Sequence, residues 1–411
     1  MEVVHTHCCG LDVHKKSVAA CIAVPGAKGQ SRKVIRTFGT MTEDIVKLSE
    51  WLSASGITHV AMESTGEYWK PIFNILENNF HLLLVNPQHI KAVPGRKTDV
   101  RDCEWIVDLL RHGLLRGSFV PDKNQRELRD LTRYRTSLID ERTAEVNRLQ
   151  KTLEGANIKL SSVATDIMGA SGRQMLESLL EGKADPKEMA ELAKGRMKEK
   201  IPQLEKALEG QFGSHQRFMV ARQLAHIDYL DETIEQLNQE IAERMRPFED
   251  ILRRLDGIPG VGRVVAEVIV AEIGTDMSRF PTAAHLASWA GMSPGNNESA
   301  GKRKSSRTRK GNSALRRALT EAAQAAGRAK KSHLAAQFRR LAGRRGRKRA
   351  AIAVGHSILV IAYHMIKEGS DYHDLGGNYY DLRDQTVIQN RLVRRLEAMG
   401  LKVTVEPAKA A

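Results

Sequence analysis

Acidic residues stand at positions where a folded α/β domain would bring them together. Asp12 ends one apolar segment and Glu63 ends another, each of which predicts a strand. Asp99 and Asp102 are spaced i, i+3 on a predicted helix, which places them on one face. Carboxylates packed closely repel one another, so we expect bound Mg²⁺ or Mn²⁺, which prefer oxygen ligands. The alternative is that each acid is a solvated cap.

A serine lies in a polar stretch between Met292 and Lys302. Glycine, proline and small polar residues predict a loop there, and Ser299 stands in it beside a run of cations. An exposed hydroxyl within a polyanion-binding surface suggests phosphodiester chemistry. Ser299 could equally be a capping or hydrogen-bonding residue of the loop. Neighbouring serines are alternative candidates: Ser293, Ser305, Ser306 and Ser313.

The cations of the chain are concentrated after this serine. Residues 301–350 contain 18 lysines and arginines and one acid, Glu321, whereas the whole chain has a net charge of +15. Such a block predicts a nucleic-acid interface, with a solvated face as the alternative. The residues predicted to contact nucleic acid are Lys302, Arg303, Lys304, Arg307, Arg309, Lys310, Arg344, Arg345, Arg347, Lys348 and Arg349.

A second candidate contact with nucleic acid precedes the serine. The segment Leu255-Asp-Gly-Ile-Pro-Gly-Val-Gly262, followed by apolar residues at helical spacing, has the pattern of a helix-hairpin-helix. Gly260 and Gly262 permit a tight turn whose free amides, at a helix N-terminus, can hold a phosphate. The same glycines are also compatible with an ordinary helix cap.

Residues 1–122 are predicted to form an α/β domain with a mixed sheet. The predicted order is three strands, then helix, strand, helix, strand and helix. Thr42 is the expected N-cap of the first helix. The predicted strands are 7–13, 17–24, 34–40, 57–62 and 81–86, and the predicted helices are 45–52, 68–76 and 99–111.

Beyond residue 122 the pattern becomes helical. Two stretches of residues 123–250 carry apolar residues at near-heptad spacing, which predicts a long antiparallel helical pair or coiled coil that could pair again with another subunit. Residues 155–213 between them are less periodic. A mostly helical region is predicted at 251–370, and a tail at 371–411. The apolar residues of the second stretch are Ile227, Leu230, Ile234, Leu237 and Ile241.

Composition limits the class of protein. Hydrophobic residues make up 41% of the 411 residues and charged residues 27%, as in a soluble globular protein of two or three domains. The most apolar segment, 350–366, contains two histidines and predicts a buried helix rather than a membrane span. The opening residues form no apolar stretch after a basic start. We therefore expect a cytoplasmic protein associated with nucleic acid.

The four cysteines do not predict a disulfide framework, because they are few and two are adjacent. His5, His7 and Cys9 would share one face of the first strand, which invites a metal site. A second cluster of ligands to complete it is not evident in the sequence, so strand packing is the favoured interpretation.

Five motifs together resemble the DEDD-type insertion-sequence transposases of bacteria. The resemblance covers nearly the whole chain and is weakest at residues 155–213. It implies an RNase H/RuvC-like N-terminal domain, a helical coiled coil and a mostly α C-terminal transposase domain. The motifs are Gly10-Leu-Asp-Val-His-Lys15, Met62-Glu-Ser-Thr-Gly66, Lys97-Thr-Asp-Val-Arg-Asp102, Ile258-Pro-Gly-Val-Gly262, and Gly291-Met-Ser-Pro with Ser299-Ala-Gly-Lys and Arg309-Lys-Gly-Asn312.

The resemblance implies DNA recombination in a composite site. Position by position, Asp12, Glu63, Asp99 and Asp102 match the acids that bind Mg²⁺, and Ser299 matches a serine nucleophile that bonds to DNA. The implied partners are the DNA of the element ends and target, a structured bridge RNA that guides the enzyme, and further copies in a dimer or tetramer. Where relatives often have Ser-Ser-Gly, this chain has Glu298-Ser-Ala300, so Ser299 is the one hydroxyl at the motif.

Two other functions stay open. A metal-dependent nuclease of Holliday-junction type would use water as the nucleophile, with Ser299 structural. A non-catalytic scaffold would bind nucleic acid through the hairpin and the basic segment. A covalent adduct between protein and DNA distinguishes the recombinase from both.

Overall fold

The computed structural model describes residues 2–26, 30–64, 66–87, 90, 102–182, 185–295, 297–299, 302–305, 307–308, 310–383 and 385–405. The chain divides into two compact units, Met1–Lys123 and Asn124–Ala411. The first unit contains a mixed sheet with helices, and the second is mostly helical. The predicted class, an α/β domain followed by a helical region, is confirmed at this level.

A five-stranded sheet organises the first unit, in the order β3-β2-β1-β4-β5. The first three strands of the chain pair antiparallel, and β1, β4 and β5 pair parallel. The strands are β1 (Cys8–Val13), β2 (Val18–Pro25), β3 (Ser31–Phe38), β4 (His59–Glu63) and β5 (His81–Val85). The helices are α1 (Thr42–Ala54), α2 (Trp69–Leu76) and α3 (Asp102–Arg111).

Helices cover both faces of this sheet. Leu11 and Met62 belong to the core that α1 and α2 complete, whereas Cys8 and Ala61 belong to the core on the α3 side. Because successive strand residues point to opposite faces, a strand covered on both faces reads as an apolar run. The five predicted strands are all present, with bounds shifted by up to three residues. The edge strand β3 does not follow this pattern, because its residues are exposed or half-buried.

Two predictions about helices in this unit have different outcomes. Thr42 was expected to cap α1, but it is the first helical residue, and Met41 occupies the cap position with extended backbone (φ −72°, ψ 154°). The helix predicted at 99–111 begins at Asp102 among the described residues. Asp99 lies outside the part of the chain that the structure describes.

The four cysteines are free, buried, and confined to the first unit. Burial raises the pKa of the Cys8 thiol to about 11 and that of Cys21 to about 12. Among the described residues His5 stacks on His59, with ring centroids 4.0 Å apart, and no group of three His, Cys, Asp or Glu residues could hold a metal. Cys9 is buried in the core of the first unit, and packing of this strand stays the favoured interpretation.

Helices make up most of the second unit, with one short hairpin. The helices are α4 (Lys123–Gly155), α5 (Leu160–Val163), α6 (Ala170–Glu181), α7 (Pro186–Glu191), α8 (Ile201–Leu208), α9 (Ser214–Met245), α10 (Glu249–Asp256), α11 (Arg263–Ile273), α12 (Ala283–Trp289), α13 (Ser313–Ala326), α14 (His333–Arg345), α15 (Arg347–Glu368), α16 (Tyr379–Arg383) and α17 (Gln385–Glu397). Short 3-10 helices occupy Gly195–Lys200, Arg246–Phe248 and Met277–Arg279. The hairpin strands are β6 (Asn297–Ser299) and β7 (Lys302–Ser305).

Side chains connect α4 and α9 along an antiparallel pair. Glu127 near the start of α4 accepts from Arg244 near the end of α9 (2.7 Å), and Arg142 further along α4 forms an ion pair with Asp231. In the second apolar stretch Ile227, Leu230 and Ile241 are buried, and Ile234 and Leu237 are half-buried. Whether the pair is a regular coiled coil stays a prediction.

Residues 156–213, the least periodic part of the sequence, fold into short helices with their own core. Leu160, Met175 and Leu204 are fully buried in it. The same core includes Leu153 near the end of α4 and Leu224 in α9. This segment therefore closes one end of the helix pair.

The apolar helix α15 lies in the core of the second unit. By length and composition it is the one helix of the described part of the chain that could cross a membrane, yet half of its apolar window is buried. Its Tyr363 is 2% exposed and donates to the carbonyl of Phe280 (3.0 Å). The burial agrees with the buried helix predicted at 350–366.

Two carboxylates of α11 are buried against arginines of α4. Glu267 accepts from Arg135 at 2.7 Å, and the two side chains are 5% and 2% exposed. Arg133 bonds both carboxylate oxygens of Glu272, which is 0% exposed, at 2.7 and 2.9 Å. Buried charges are tolerated in this way only when they are paired.

We predict that Glu267→Gln destabilises the second unit strongly, because it leaves the guanidinium of Arg135 buried without a counter-charge. The expected loss in free energy of unfolding is about 3–5 kcal/mol. Asp231→Asn is the control, since it removes the acid of the more exposed pair with Arg142 and should cost about 1 kcal/mol or less. Urea unfolding measures both, and equal losses would contradict the prediction.

Candidate active site and nucleic-acid interface

Asp12 and Glu63 lie side by side at the carboxyl ends of two neighbouring strands. β1 and β4 are parallel, with Leu11 opposite Met62, so the next residue of each strand is one of these acids. Leu11 and Met62 face α1 and α2, and alternation turns both acids to the opposite face, which α3 covers. Asp12 is 26% exposed and Glu63 is half-buried.

Gly10 lets α3 approach this face closely. A Cβ at Gly10 would lie 2.4 Å from the carbonyl oxygen of Cys103 and 2.5 Å from the amide nitrogen of Val107. Real side chains do not reach such distances to backbone atoms, so any larger residue must push the helix away. The distance between α3 and β1 is therefore set by the absence of a side chain two residues before Asp12.

The third described acid, Asp102, is the first residue of α3 and is exposed. The next residue, Cys103, is buried, and burial is the main cause of its raised pKa. The charge of Asp12 is the second cause of that shift. The close contact between Gly10 and the backbone of Cys103 holds the start of α3 against β1, two residues before Asp12. Asp12, Glu63 and Asp102 thus belong to one edge of the first unit.

The donors at this edge suit a divalent cation by their chemistry, because carboxylate oxygens are preferred ligands of Mg²⁺ and Mn²⁺. The three described acids do not form a group close enough to hold an ion by themselves, a statement that covers the described residues only. The fourth predicted ligand, Asp99, lies outside them.

The structure adds one residue that sequence reasoning did not assign to the site. The Nε2 atom of His14 lies 3.2 Å from Oδ2 of Asp12. His14 follows Asp12 by two residues, and its side chain is 64% exposed. That spacing, on an extended backbone that keeps i and i+2 on one face, is the signal that could have identified it.

Ser299 lies in a hairpin rather than in the predicted loop. It is the last residue of β6, and it pairs across the hairpin with Lys302, the first residue of β7. Asn297 pairs with Ser305 at the other end. The strands are too short and polar to give a strand pattern in the sequence, so the Gly/Pro content dominated the prediction.

Close backbone contacts hold the base of this hairpin. Pro294 and Thr308 form an antiparallel bridge, and the Gly295 amide donates to the carbonyl of Arg307 (2.9 Å). A Cβ at Gly311 would lie 2.3 Å from the amide nitrogen of Gly291, so the two arms touch there. The hydrogen bond of Gly295 places this residue in the base of the hairpin.

The chain continues from Gly311 into Asn312, which caps α13. The Asn312 Oδ1 accepts from the amide of Leu315 (3.0 Å), and Nδ2 donates to Oε2 of Glu272 (2.6 Å). Glu272 also pairs with Arg129 (3.3 Å) and with Arg133. A buried carboxylate in α11 therefore connects the exit of the hairpin to α4.

Most predicted nucleic-acid contacts are exposed where the structure describes them. Arg344 and Arg345 end α14, and Arg347, Lys348 and Arg349 begin α15. Lys302, Arg307 and Lys310, like these five, are exposed. The side chains of Arg303 and Lys304 and the whole of Arg309 lie outside the described part of the chain.

The cations at the start of α15 oppose the helix dipole. A positive charge in the first turn destabilises a helix by about 0.3–1 kcal/mol, whereas an acid in that turn stabilises it by a similar amount. The first turn contains Arg347, Lys348 and Arg349, and the cap residue is Gly346 (φ +82°). A sequence selected for stability alone would not place three cations here, whereas a phosphate on this turn would meet both the cations and the free helix amides.

The two glycines of the predicted hairpin motif have different environments. Gly260 has φ +89°, and a Cβ there would lie 2.3 Å from the carbonyl oxygen of Ala322 and 2.5 Å from the amide nitrogen of Ala326. Packing against α13 therefore explains its identity. Gly262 caps α11 in extended backbone, and the space around its missing Cβ is open to 4 Å. Of the two, Gly262 has room for a phosphate.

Two family models match the chain. A DEDD-type IS110 model, described as a transposase, matches residues 9–158. A model described as "Transposase IS116/IS110/IS902 family" matches residues 252–339. The first match includes the described acids at the sheet edge, and the second includes the hairpin, Asn312 and α11. Together the two matches cover more than half of the sequence.

Curated relatives are similar over both units. The Sinorhizobium fredii protein named "Putative transposase y4pF/y4sB" is 27% identical over 331 residues, which are 78% of this chain and 76% of the relative. The transposase for insertion sequence element IS1111A of Coxiella burnetii is 25% identical over 76% of this chain and 79% of its own length. The insertion element IS116 44.8 kDa protein of Streptomyces clavuligerus is 29% identical over 52% of this chain and 60% of its own length.

We predict that Gly10→Ala displaces α3 from β1. The added Cβ meets backbone rather than a flexible side chain, so overpacking should cost about 1–3 kcal/mol of unfolding free energy. Amides of Cys103–Arg111 should exchange hydrogen faster, because the helix carrying Asp102 is held less closely. The control is Gly117→Ala, whose Cβ would make an ordinary 3.7 Å contact with Leu83. Unchanged exchange in Gly10→Ala would show that the helix position does not depend on Gly10.

Proposed function

Because the chain belongs to the IS110/IS116 family of transposases, enzymes that act on DNA, we propose that it cuts and rejoins the DNA of an insertion sequence through a covalent bond to Ser299. The observation that carries the proposal is the position of Ser299. It ends β6 opposite Lys302, at the tip of a hairpin with a fixed base and basic flanks. A nucleophile needs reach and nearby positive charge, and this position offers both.

In the proposed reaction the hydroxyl oxygen of Ser299 attacks the scissile phosphorus. One bond forms between phosphorus and the serine oxygen, and the bond to the departing deoxyribose oxygen breaks. The serine proton leaves, and the departing oxygen takes up a proton. A DNA hydroxyl then attacks the phosphoserine and releases the serine. One phosphodiester is exchanged for another, so rejoining needs no external energy source.

The acids at the sheet edge are proposed to serve this reaction from the first unit. Asp12, Glu63 and Asp102, with Asp99, would hold Mg²⁺ or Mn²⁺. When bound, such an ion supplies a Lewis acid that neutralises charge on the phosphodiester and lowers the pKa of a coordinated hydroxyl. Two observations support this role: Asp12 and Glu63 follow paired residues of parallel strands, and the close approach at Gly10 holds the helix that begins at Asp102 against β1. His14 would orient Asp12 through its 3.2 Å contact.

The exposed cations at 302–310 and 344–349 are proposed to hold the phosphates of DNA and of a structured guide RNA. The unfavourable charges in the first turn of α15 support this role, because they have a use only when an anion is bound. We further propose a RuvC-like first domain (1–122), a coiled-coil domain (123–250), a transposase domain with a helix-hairpin-helix (251–370) and a tail (371–411). Oligomer formation and action in the cytoplasm belong to the same proposal.

We predict that Ser299→Ala binds DNA normally and forms neither a covalent adduct nor a recombined product. Loss of the one hydroxyl that the proposal uses should lower adduct formation below detection, whereas the cations and the acids are untouched. Denaturing gel electrophoresis of end-labelled DNA with the full-length protein detects the adduct. Ser305→Ala, at the opposite end of the hairpin, is the matched control and should remain active.

Two outcomes of that experiment would change the function. An adduct in Ser299→Ala moves the chemistry to another hydroxyl. Strand cleavage without any adduct, in the unmodified protein and in Ser299→Ala alike, indicates a metal-dependent nuclease that uses water.

We predict that DNA affinity depends steeply on salt through residues 344–349. Each phosphate contact contributes about −0.9 to the slope of log K against log salt concentration. Replacing Arg344, Arg345, Arg347, Lys348 and Arg349 by Gln should therefore reduce the slope by up to about 4–5. The control replaces exposed cations of 156–213, namely Lys187, Arg196 and Lys198, and should leave the slope unchanged. Fluorescence anisotropy at several salt concentrations measures it, and an unchanged slope in the fivefold variant would show a solvated face.

A further inference from the structure

The hydrogen bond between Asn312 and Glu272 lies at the point where the Ser299 hairpin returns to the helical core. Asn312 is the first residue after the arms meet at Gly311 and the last before α13 begins. Its side-chain oxygen caps the helix, and its side-chain nitrogen donates to Glu272. The exit of the hairpin is thus attached to α11 by a side chain as well as by the backbone.

Glu272 can hold Asn312 in one position because its own carboxylate is buried and held by several contacts. Its carboxylate is 0% exposed and accepts from Arg133 in a two-point contact, from Arg129 and from Asn312. The Arg129 guanidinium also donates to the backbone carbonyls of Ala271 (3.2 Å) and Glu272. Two-point contacts to a buried carboxylate restrict rotation as well as distance. Little movement of Asn312 is possible while this network is intact.

Helix capping does not require this second contact. Ser, Thr and Asp cap helices about as well as Asn, because only the side-chain oxygen is used. The Nδ2 donor of Asn312 adds nothing to the cap of α13 and bonds only Glu272 among the described residues. A role besides capping therefore explains why an amide stands here.

We infer that Glu272 and Asn312 are positioning residues that fix the direction of the Ser299 hairpin relative to α4 and α11. The inference rests on the proposed function, because it concerns the delivery of the Ser299 hydroxyl to DNA. The pair acts through the base of the hairpin and does not touch the reacting atoms. A small displacement of a nucleophile can reduce the reaction rate on the order of a hundredfold. A small change of direction at the base of the hairpin displaces Ser299 at its tip, so the contact between Asn312 and Glu272 can affect the rate.

The experiment compares Asn312→Ser and Asn312→Asp in the full-length protein. Both keep an oxygen for the cap and lose the donor to Glu272, and Asn312→Asp also places a second carboxylate beside it. At saturating DNA, the rate of adduct formation should fall roughly tenfold in Asn312→Ser and further in Asn312→Asp. The dissociation constant for DNA should change less than about twofold, since the cations are intact. Hydrogen exchange at the Gly295 amide should be faster.

A swap of roles tests the contact itself. In the double variant Glu272→Gln/Asn312→Asp, the amide stands on α11 and the acceptor on the hairpin exit, which restores a donor facing an acceptor. Its adduct rate should exceed that of Asn312→Asp alone by about tenfold, a non-additivity expected of two groups in contact. Ser332→Ala is the control for capping, because Ser332 caps α14 through the Ala335 amide (3.1 Å). It should lower the thermal midpoint and leave the adduct rate unchanged.

The outcomes separate the inference from the proposed function. An adduct rate in Asn312→Ser within about twofold of the unmodified protein overturns the inference, as does a slower rate without faster exchange at Gly295. A double variant that keeps the thermal midpoint of Asn312→Asp and is no faster than Asn312→Asp also overturns it, since loss of the Glu272 charge from Arg129 and Arg133 has then not damaged the fold. Ser299→Ala in the same assay is independent: if it still forms the adduct, the proposed function fails, whatever the Asn312 variants do.

Discussion

Two carboxylates buried in an otherwise apolar helix set the arrangement of the second unit. Neither Glu267 nor Glu272 can leave water without a cation and hydrogen-bond donors, and α4 supplies the arginines. The position of α11 along α4 is thereby fixed to the spacing of Arg129, Arg133 and Arg135. A shift of α4 by one turn would take Arg135 away from Glu267, which would keep only its contact with Arg263 of its own helix. Apolar packing tolerates such shifts better, because its contacts are less directional.

The constraint spreads from these ion pairs to α9 and α13. Arg135 also donates to Asn238 of α9 (3.1 Å), so the partner helix is included. Arg317 of α13 pairs with Asp140 of α4 (2.6 Å), and hydrogen bonding to this arginine holds the pKa of Asp140 below its ordinary value. The helix after the hairpin is therefore held at two points, at its start by Glu272 of α11 and about one turn later by Asp140 of α4. The first unit achieves a comparable restriction without charge, through the backbone contact at Gly10.

The sequence predicts the first unit better than the second. Its strands other than the edge strand β3 are apolar runs bounded by turns, which identify the sheet, and the positions of the strand-end acids follow from its topology. The Ser299 hairpin was predicted as a loop because three or four polar residues give no periodic signal. The ion-pair network was missed because Arg135 reads as a surface residue of α4, although it is 2% exposed. A signal existed in α11, where two acids interrupt Val264-Val-Ala-Glu-Val-Ile-Val-Ala-Glu272. Acids within a buried apolar run demand partners, but one sequence does not say which.

The cysteines lie on the sheet of the first unit and on α3, which packs against it, and this confinement has a practical consequence. Cys8, Cys9, Cys21 and Cys103 are buried on its two faces, and burial raises the pKa of each thiol. Thiols in this state react with alkylating reagents only when the surrounding structure opens. The helical unit contributes no competing thiol, because the chain has four cysteines in all. The rate at which the four thiols are alkylated, measured by mass spectrometry, therefore reports opening of the first unit. Opening of the second unit does not contribute to that rate.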